Sequence, residues 1–254
     1  MTGAREEKLI DAANLLLNAR RTGVPVEELP EALRPETLDE AYFVQDRVAE
    51  AYGTIGGWKV GATSPEATPV YGPMPMAWMA SNGAEMAGVR RLRGLEAEIA
   101  FLLGTDLPPR GRPYGMEEVT AAIASCHPAI EVIESGLLDP LSAAKMSMFA
   151  DLQIHGGFVF GPAVPGWESI DFATEAVTIA VDGAIRVERT GSNTSGNLMR
   201  LLPWLASEGS ARTGGLKAGQ WITTGSWTGV TFADSASAAH VRFHHAGEVT
   251  LRFA

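Results

Sequence analysis

The stretch Leu95-Glu96-Ala97-Glu98-Ile99-Ala100-Phe101-Leu102-Leu103-Gly104 places two carboxylates, one residue apart, at the head of an apolar run long enough for a β-strand. Side chains alternate across a strand, so the two acids are predicted to lie on one face. Like charges side by side in a half-buried strand repel each other and resist desolvation. The pair therefore requires a metal ion, basic partners or water, and on spacing alone a solvated strand edge is the simplest alternative.

A third acid lies in a second β-branched run, Ala129-Ile130-Glu131-Val132-Ile133, which contains no basic residue to neutralise it. Glu134, three residues on, is predicted to face the other way. If Glu131 converges with Glu96 and Glu98, the three carboxylates make an all-oxygen site. Such a site suits Mg²⁺ or Mn²⁺ and leaves coordination positions open for water or substrate.

The composition limits the class of protein. The chain has 254 residues, of which 46% are hydrophobic and 20% charged, so it can bury a substantial core as one large domain or as a domain with an N-terminal helical annex. Its formal charge of −10 leaves no basic stripe, and we expect neither nucleic acid nor an anionic membrane as a partner. An anionic small substrate would need local positive charge, which a metal ion and one lysine would supply.

Cysteine content and hydropathy indicate the compartment. Cys126 is the only cysteine, which excludes an intramolecular disulfide and a cysteine-based zinc site and fits a reducing environment. The sequence shows no leader of signal-peptide type, and its apolar runs are too short for a membrane span. We therefore expect a soluble, cytoplasmic protein.

The first third of the chain is predicted to be helical and then to change character. Apolar residues at helical spacing predict a helix over 5–21, and Thr37-Leu38-Asp39-Glu40 has the pattern of a capping box that opens a helix through about Tyr52. Glycines flank a short strand over 56–61 that carries Lys59, which could equally be a solvent-facing lysine between turns. The segment 64–88 has no clear period and is predicted to be a loop or flap.

The remaining two thirds are predicted to be mainly β. Asp182-Gly183 suits a type I′ turn in a hairpin. Helices early and strands late favour an α+β fold with a largely antiparallel or mixed sheet over a doubly wound fold. The predicted elements are a helix over 116–125, the hairpin over 176–189, a helix over 198–207 in which Pro203 causes a bend or lies near the start, strands over 221–224 and 230–232, and a terminal strand pair around Gly247.

Four segments, in this order, resemble the fumarylacetoacetate hydrolase superfamily. The resemblance extends from about residue 37 to the C-terminus and is strongest to the branch of 2-keto-4-pentenoate hydratases and oxalocrotonate decarboxylases. The four segments are Gly57-Trp58-Lys59-Val60-Gly61, Leu95-Glu96-Ala97-Glu98-Ile99-Ala100-Phe101, Ala129-Ile130-Glu131-Val132-Ile133-Glu134-Ser135 and Thr224-Gly225-Ser226-Trp227-Thr228-Gly229.

The resemblance implies a fold and a site. It implies a mixed β-roll of the fumarylacetoacetate hydrolase C-terminal-domain type over 56–254, preceded by an N-terminal helical segment over 1–55. It also implies homo-oligomers and a small 2-oxo acid substrate. The implied site consists of Mg²⁺ or Mn²⁺ held by Glu96, Glu98 and Glu131, with Lys59 as the catalytic lysine beside the ion.

The resemblance also implies an activity. Family members of this branch act on 2-oxo or 2-hydroxydienoic acids in the breakdown of aromatic compounds, so we expect a metal-dependent lyase that adds water through an enolate stabilised by the ion. Three alternatives stay open: a decarboxylase, a C–C hydrolase or tautomerase acting on a related 2-oxo acid, and a diverged binding subunit without catalysis.

Two departures from the family pattern bear on the remaining site residues. The flap segment over 71–77 lacks the acid that usually follows Tyr-Gly, and Asp151-Leu152-Gln153-Ile154 stands where the family usually has Asp-Asn-Ala-Ser. We therefore predict His155 as a proton-transfer group and Gln153 as a substrate-binding group, while Asp151 receives no role. Thr224 and Ser226 could offer donors to a substrate carboxylate. The alternatives are a core or surface histidine and ordinary turn residues.

Overall fold

Helices and two β-sheets make up the computed structural model, which describes residues 3–88 and 91–254. The helices are α1 (Gly3–Thr22), α2 (Leu38–Glu50), α3 (Met116–Ala122), α4 (Lys145–Ala150), α5 (Leu201–Ser207) and α6 (Ser210–Thr213). Short 3₁₀ helices lie at Met76–Trp78, Leu152–Ile154, Trp167–Ser169 and Leu198–Arg200. The strands are β1 (Ile55–Gly61), β2 (Val70–Pro75), β3 (Met79–Ser81), β4 (Ala84–Met86), β5 (Gly94–Leu103), β6 (Ile123–Ile133), β7 (His155–Phe160), β8 (Ala176–Val181), β9 (Ala184–Thr190), β10 (Trp221–Thr223), β11 (Thr231–Phe232), β12 (Ala238–Phe243) and β13 (Glu248–Phe253).

The larger sheet is mixed and contains the strands with the predicted site residues. Its order is β2-β1-β10-β5-β6-β7-β3, and β11 also pairs with β5. The β1–β10 and β3–β7 pairs are parallel, whereas the other pairs of this sheet are antiparallel. In the β5–β6 register Glu96 stands directly opposite Glu131, which places their side chains on one face. The two acidic segments therefore meet, as the family resemblance implies.

The second sheet packs against the first and completes the main core. Its order is β4-β13-β12-β8-β9, with β4 and β13 parallel. Burying each large aliphatic side chain contributes about 1.5–3 kcal/mol. One apolar cluster joins side chains from both sheets, including Leu95, Ile99 and Val132 from the larger sheet and Ile179, Val241 and Val249 from the smaller. The α+β class with a mixed sheet and an N-terminal helical segment is thus confirmed.

The N-terminal helices pack on a second apolar cluster that the later part of the chain completes. Buried leucines of α1 and valines of α2 share this cluster with Leu137, Phe149 and Leu152. Thr37 caps α2 as predicted, because its hydroxyl accepts the Glu40 N–H at 3.2 Å. The helix α2 ends at Glu50, slightly before the predicted end at about Tyr52. The proposed division into segments 1–55 and 56–254 stays a prediction.

The structure corrects two predictions of local structure. The segment 64–88, predicted as a loop or flap, contains β2, β3, β4 and a 3₁₀ helix. Its pattern carries no period because β2 is buried nearly throughout, with Met74 wholly inaccessible, while glycine and proline interrupt the remainder. The helix predicted over 116–125 ends at Ala122, and Ile123 already pairs with Leu103 in the sheet. Tertiary pairing outweighs helical spacing here.

The turn predictions hold. Asp182 and Gly183 have φ of 50° and 78°, the two left-handed residues that a type I′ hairpin requires. Pro203 lies in the first turn of α5, where its missing N–H leaves no helical hydrogen bond unmade. Within residues 3–88 and 91–254, no helix combines the length and the apolar character needed to cross a bilayer.

Gly57 is required by the close approach of β1 to β10. A Cβ at this position would lie 2.3 Å from the carbonyl oxygen of Trp221 and 2.9 Å from Met74. We expect Gly57→Ala to lower the free energy of unfolding by about 1–3 kcal/mol, the usual cost of overpacking. Gly111→Ala is the matched control, because nothing lies within 4 Å of its added Cβ. Equal denaturation midpoints for the two variants would contradict this packing.

An ion pair ties α1 to α2 and should make stability depend on pH. Arg5 contacts both carboxylate oxygens of Glu40, at 2.8 and 2.5 Å, and together with backbone donors it outweighs the opposing effect of burial and holds the pKa of Glu40 at about 2 instead of 4.5. A lowered pKa stabilises the fold above pH 4.5, and that contribution is lost as the pH falls through 2. Arg5→Met should therefore cost about 1–3 kcal/mol at pH 7 and progressively less in acid.

Urea denaturation across this pH range measures the difference between Arg5→Met and the parent protein. Lys8→Met, which removes an exposed cation from the same helix, is the control and should leave the profile unchanged. A cost for Arg5→Met that stays constant from pH 7 to pH 2 would show that the pair does not titrate as described.

Candidate active site

A cavity of about 330 Å³ opens where β1, β5, β6 and the loop after β10 meet. Its apolar wall includes Val60, Ala62 and Val70. Its polar lining consists of the side chains of Lys59, Thr63, Glu96, Glu98, Glu131, Gln153, Thr194 and Ser226. A partly apolar cavity with a few convergent polar groups is typical of a small-molecule site.

Three carboxylates converge at this cavity. Glu96, Glu98 and Glu131 each offer one oxygen, and the three oxygens lie within 4.8 Å of one another. Glu98 and Glu131 are buried and Glu96 is half-buried. The convergence follows from strand geometry, since Glu96 and Glu98 share a face of β5 and Glu131 lies opposite on β6.

The three acids carry more negative charge than the one lysine beside them can neutralise. Burial, followed by the Glu131 charge, raises the pKa of Glu96 to about 7 and that of Glu98 well above its ordinary value. Burial also acts to raise the pKa of Glu131, but Lys59 and His155 together lower it to about 2. The protein therefore stabilises one of the three carboxylates as an anion and leaves the other two in need of a cation.

One oxygen of Glu131 bears on whether a metal ion fits. Oε1 accepts one hydrogen bond from the Lys59 ammonium at 2.5 Å and another from the His155 Nδ1–H at 2.8 Å. Oε2 is buried and has no hydrogen-bond partner within residues 3–88 and 91–254. A buried carboxylate oxygen without a partner is costly unless a ligand binds it. The all-oxygen donor set and this free atom both fit a hard divalent cation.

Lys59 is placed beside the acids by β1. Its Nζ donates to Glu131 Oε1 and, at 3.1 Å, to the backbone carbonyl of Gln153. Burial acts to lower the pKa of Lys59, but the three carboxylates raise it above its ordinary value. The side chain is 14% exposed and lines the cavity, so Lys59 is a cation that a ligand can reach.

Gln153 and His155 lie at the site in different ways from those predicted. The Gln153 side chain donates to the Tyr71 carbonyl at 2.6 Å, so one of its two amide N–H groups is engaged, although the residue lines the cavity. His155 is fully buried, does not line the cavity, and contacts Glu131 instead. Burial lowers its pKa, which favours a neutral ring that donates from Nδ1 to the carboxylate. Any part that His155 takes in proton transfer therefore acts through Glu131.

The loop after β10 contributes to the cavity and supports it, and its predicted residues Thr224 and Ser226 lie in different places. The Thr224 hydroxyl is buried and donates to the Ile99 carbonyl at 2.7 Å, so it anchors the loop and does not face the cavity. Ser226 does line the cavity, and a hydrogen bond from its side chain to Glu96 favours the ionised carboxylate. The Gly225 N–H, which sequence reasoning missed, donates to Glu98 at 3.2 Å.

Thr194 is a further lining residue that the sequence did not reveal. Its hydroxyl donates to the Ala62 carbonyl at 2.8 Å, which connects the 191–197 loop to the end of β1. The residues of that loop are mostly small and polar, and nothing in their types indicates that the loop returns to the cavity. Only the tertiary structure brings this loop to the cavity, so a local sequence pattern cannot predict the contact.

The family model for the fumarylacetoacetate (FAA) hydrolase C-terminal domain matches residues 51–253. The chain belongs to this family. A hydratase of the fumarylacetoacetate hydrolase family, the TodF product hydratase of Pseudomonas putida, is 27% identical over 99% of this chain and 97% of its own. The 2-hydroxyhexa-2,4-dienoate hydratase of Comamonas testosteroni is 29% identical over 75% of this chain and 76% of its own. The resemblance found in the four motifs is thus confirmed.

A solved structure of the same family shares the fold over the whole chain. The 4-oxalocrotonate decarboxylase of Pseudomonas putida G7, complexed with magnesium and adipate, has a TM-score of 0.84 and 26% identity, covering 100% of this chain and 99% of its own. The same decarboxylase complexed with calcium and acetate gives a TM-score of 0.82. The magnesium and calcium in these complexes support a divalent metal ion as the cofactor.

A carboxylate-to-amide exchange tests the metal site directly. We expect the protein to bind one Mn²⁺ or Mg²⁺ per chain, and Glu98→Gln to weaken binding by at least about tenfold, since even outer-shell changes cost that much. Calorimetry or Mn²⁺ electron paramagnetic resonance measures the affinity. Glu117→Gln, an exposed acid on α3, is the control. Equal Mn²⁺ affinities for Glu98→Gln and Glu117→Gln would remove Glu98 from the ligand set.

Proposed function

We propose that this protein is a divalent-metal-dependent lyase that adds water to a 2-hydroxydienoic acid or its 2-oxo tautomer. The observation that carries the proposal is the convergence of three carboxylates and one lysine in a cavity with an apolar wall. The hydratases among its relatives support the same class.

The carboxylates of Glu96, Glu98 and Glu131 would hold the ion. When bound there, Mg²⁺ or Mn²⁺ would polarise the substrate carbonyl and offset the charge of the substrate carboxylate. The Gly225 N–H donates a hydrogen bond to Glu98, and the Ser226 side chain donates one to Glu96. These two contacts orient the acids in the folded protein independently of a ligand.

Lys59 is proposed as the group that binds the substrate and transfers a proton to or from it. An ammonium has three N–H donors, and two of them are engaged by Glu131 Oε1 and the Gln153 carbonyl. The third is available to a substrate oxygen or carbon in the cavity. Because Glu131 fixes the ammonium on one side, a substrate that enters meets a donor in a defined position.

The apolar wall indicates the kind of substrate tail. Val60, Ala62 and Val70 offer no hydrogen bond from their side chains, and Lys59 is the only cation among the described residues that line the cavity. A second substrate carboxylate would therefore lack a charged partner. This favours an acid with a short uncharged tail, and hydration of such an acid over decarboxylation of a dicarboxylate.

Decarboxylation is the second candidate, because the solved decarboxylase matches the whole chain. Both reactions use the same activation of a 2-oxo acid and differ in the substrate: a decarboxylase needs a carboxylate to release. The two are distinguished by the product, a 4-hydroxy-2-oxo acid or carbon dioxide with a shortened acid.

Loss of ultraviolet absorbance of conjugated dienoates measures turnover. The panel contains mono- and dicarboxylic 2-hydroxydienoates, each with Mg²⁺, with Mn²⁺ and with a chelator, and mass spectrometry identifies the products. We expect metal-dependent hydration of a monocarboxylate. Turnover of a dicarboxylate with release of carbon dioxide would replace hydratase by decarboxylase. No metal-dependent turnover of any acid would favour the binding-subunit alternative.

Lys59→Met tests the proposed proton donor. We expect turnover to fall by at least about 100-fold, the range that general acid–base groups supply, while the three carboxylates still bind Mn²⁺. Lys217→Met, an exposed lysine, is the control and should leave turnover unchanged. Activity of Lys59→Met within a factor of a few of the parent would rule out Lys59 as the proton-transfer group.

Three expectations from the sequence stay predictions. They are a cytoplasmic location, a homo-oligomeric state, and a substrate that arises in the breakdown of aromatic compounds. We propose them with the function, because the relatives are compatible with each of them.

A further inference from the structure

Three consecutive residues adopt a left-handed backbone at the rear of the cavity. Leu152, Gln153 and Ile154 have φ of 55°, 50° and 62°, between the end of α4 and the start of β7. None of them is glycine, and a left-handed conformation is unfavourable for each, most of all for the β-branched Ile154. Such a turn persists only where its surroundings determine it, and such turns cluster at functional sites.

The turn directs two groups at the site. It points the Gln153 carbonyl at the Lys59 ammonium, 3.1 Å away, and the Gln153 side chain at the Tyr71 carbonyl of β2. The carbonyl occupies one of the three donors of Lys59, and Glu131 occupies another. The turn therefore fixes the direction of the remaining N–H of the proposed proton donor.

Arg20 of α1 contacts both ends of this turn. Its guanidinium donates to the Asp151 carboxylate at 2.5 Å and to the Asp151 carbonyl at 2.9 Å, just before the turn. It also donates to the His155 carbonyl at 2.9 Å, just after the turn, and to the Glu134 carbonyl at 3.0 Å. The Arg20 side chain is only 4% exposed, although it comes from the N-terminal helix.

The carboxylate that pairs with Arg20 is itself fixed to the end of β6. The second oxygen of Asp151 accepts the Ser135 hydroxyl at 2.5 Å and the Gly136 N–H at 2.8 Å. Asp151 is completely buried, so the pair forms a charge-assisted network away from water. The planar guanidinium, with its five donors, can satisfy four acceptors on three segments at once, which an ammonium cannot.

We propose that Arg20 is a positioning residue for Lys59. By bonding both ends of the left-handed turn, it keeps the Gln153 carbonyl on the Lys59 ammonium and so orients the free donor toward the cavity. Its catalytic consequence rests on the proposed function, whereas its effect on Lys59 is a property of the folded protein alone. The N-terminal helix thereby contributes to the site without lining it.

Per-residue lysine acetylation tests the effect on Lys59. The variants are Arg20→Lys, which keeps the charge but lacks the planar fork, and Arg20→Met. Mass spectrometry gives the acetylation rate of Lys59 relative to the exposed Lys8 and Lys217 in the same sample. We expect a several-fold rise of this ratio in both variants and no rise in Arg21→Met, the adjacent exposed arginine on α1. An unchanged ratio in both Arg20 variants would overturn the proposal.

A double variant keeps the test decisive if Arg20→Met fails to fold. The single change leaves Asp151 buried without its partner, and Arg20→Met/Asp151→Asn removes both charges. We expect this folded double variant to show the same rise in Lys59 acetylation. A folded double variant with the parent ratio would show that the pair only stabilises the fold, and the proposal would fail.

Kinetics then separate positioning from general stability. In Arg20→Lys we expect kcat to fall about tenfold to 100-fold with little change of KM or of Mn²⁺ affinity, since a small misplacement of a catalytic group has that cost. A fall in kcat without a rise in Lys59 acetylation would overturn the proposal. If the parent protein turns over no acid of the panel, the proposed function fails, and acetylation alone still decides the role of Arg20.

Discussion

The contact between Lys59 and Glu131 is the one on which the electrostatics of the cavity depend. A single ammonium lies among three carboxylates that are buried or half-buried, and it cannot neutralise all of them. The protein stabilises Glu131 as an anion with Lys59 and His155, while Glu96 and Glu98 carry raised pKa values. The negative charge that Lys59 does not neutralise favours the binding of a divalent cation at the site.

The sheet brings these groups together from distant parts of the chain. Going from β1 through β10 and β5 to β6 crosses four adjacent strands, and Lys59, Glu98 and Glu131 lie along that path. The N-terminal helices act from behind: Arg20 bonds the backbone around the left-handed turn, and Gln45 of α2 donates to the Phe149 carbonyl at the end of α4. The N-terminal helices therefore help to fix α4 and the left-handed turn at the cavity.

The sequence predicted what local periodicity and turn chemistry determine. Alternation placed Glu96 and Glu98 on one face, and Asp182-Gly183 identified the hairpin, because both depend only on neighbouring residues. Lys59 and Glu131 are 72 residues apart, and only the family resemblance joined them. For His155 and Thr224 the residue type gave no indication of the bonded atom: His155 contacts the Glu131 carboxylate, and Thr224 contacts the Ile99 carbonyl.

The two oxygens of Glu131 have different surroundings, and together they fix the carboxylate while one oxygen stays available to a ligand. Oε1 is satisfied by Lys59 and His155, which fixes the carboxylate in one orientation. Oε2 is buried and has no hydrogen-bond partner in the part of the chain that the structure describes, which leaves it available to a cation. A divalent cation held by the three carboxylates would satisfy this oxygen, and the fold already fixes the position of the carboxylate that carries it. The contacts that fix Glu131 thereby keep the geometry of the site ready for the ion and the substrate.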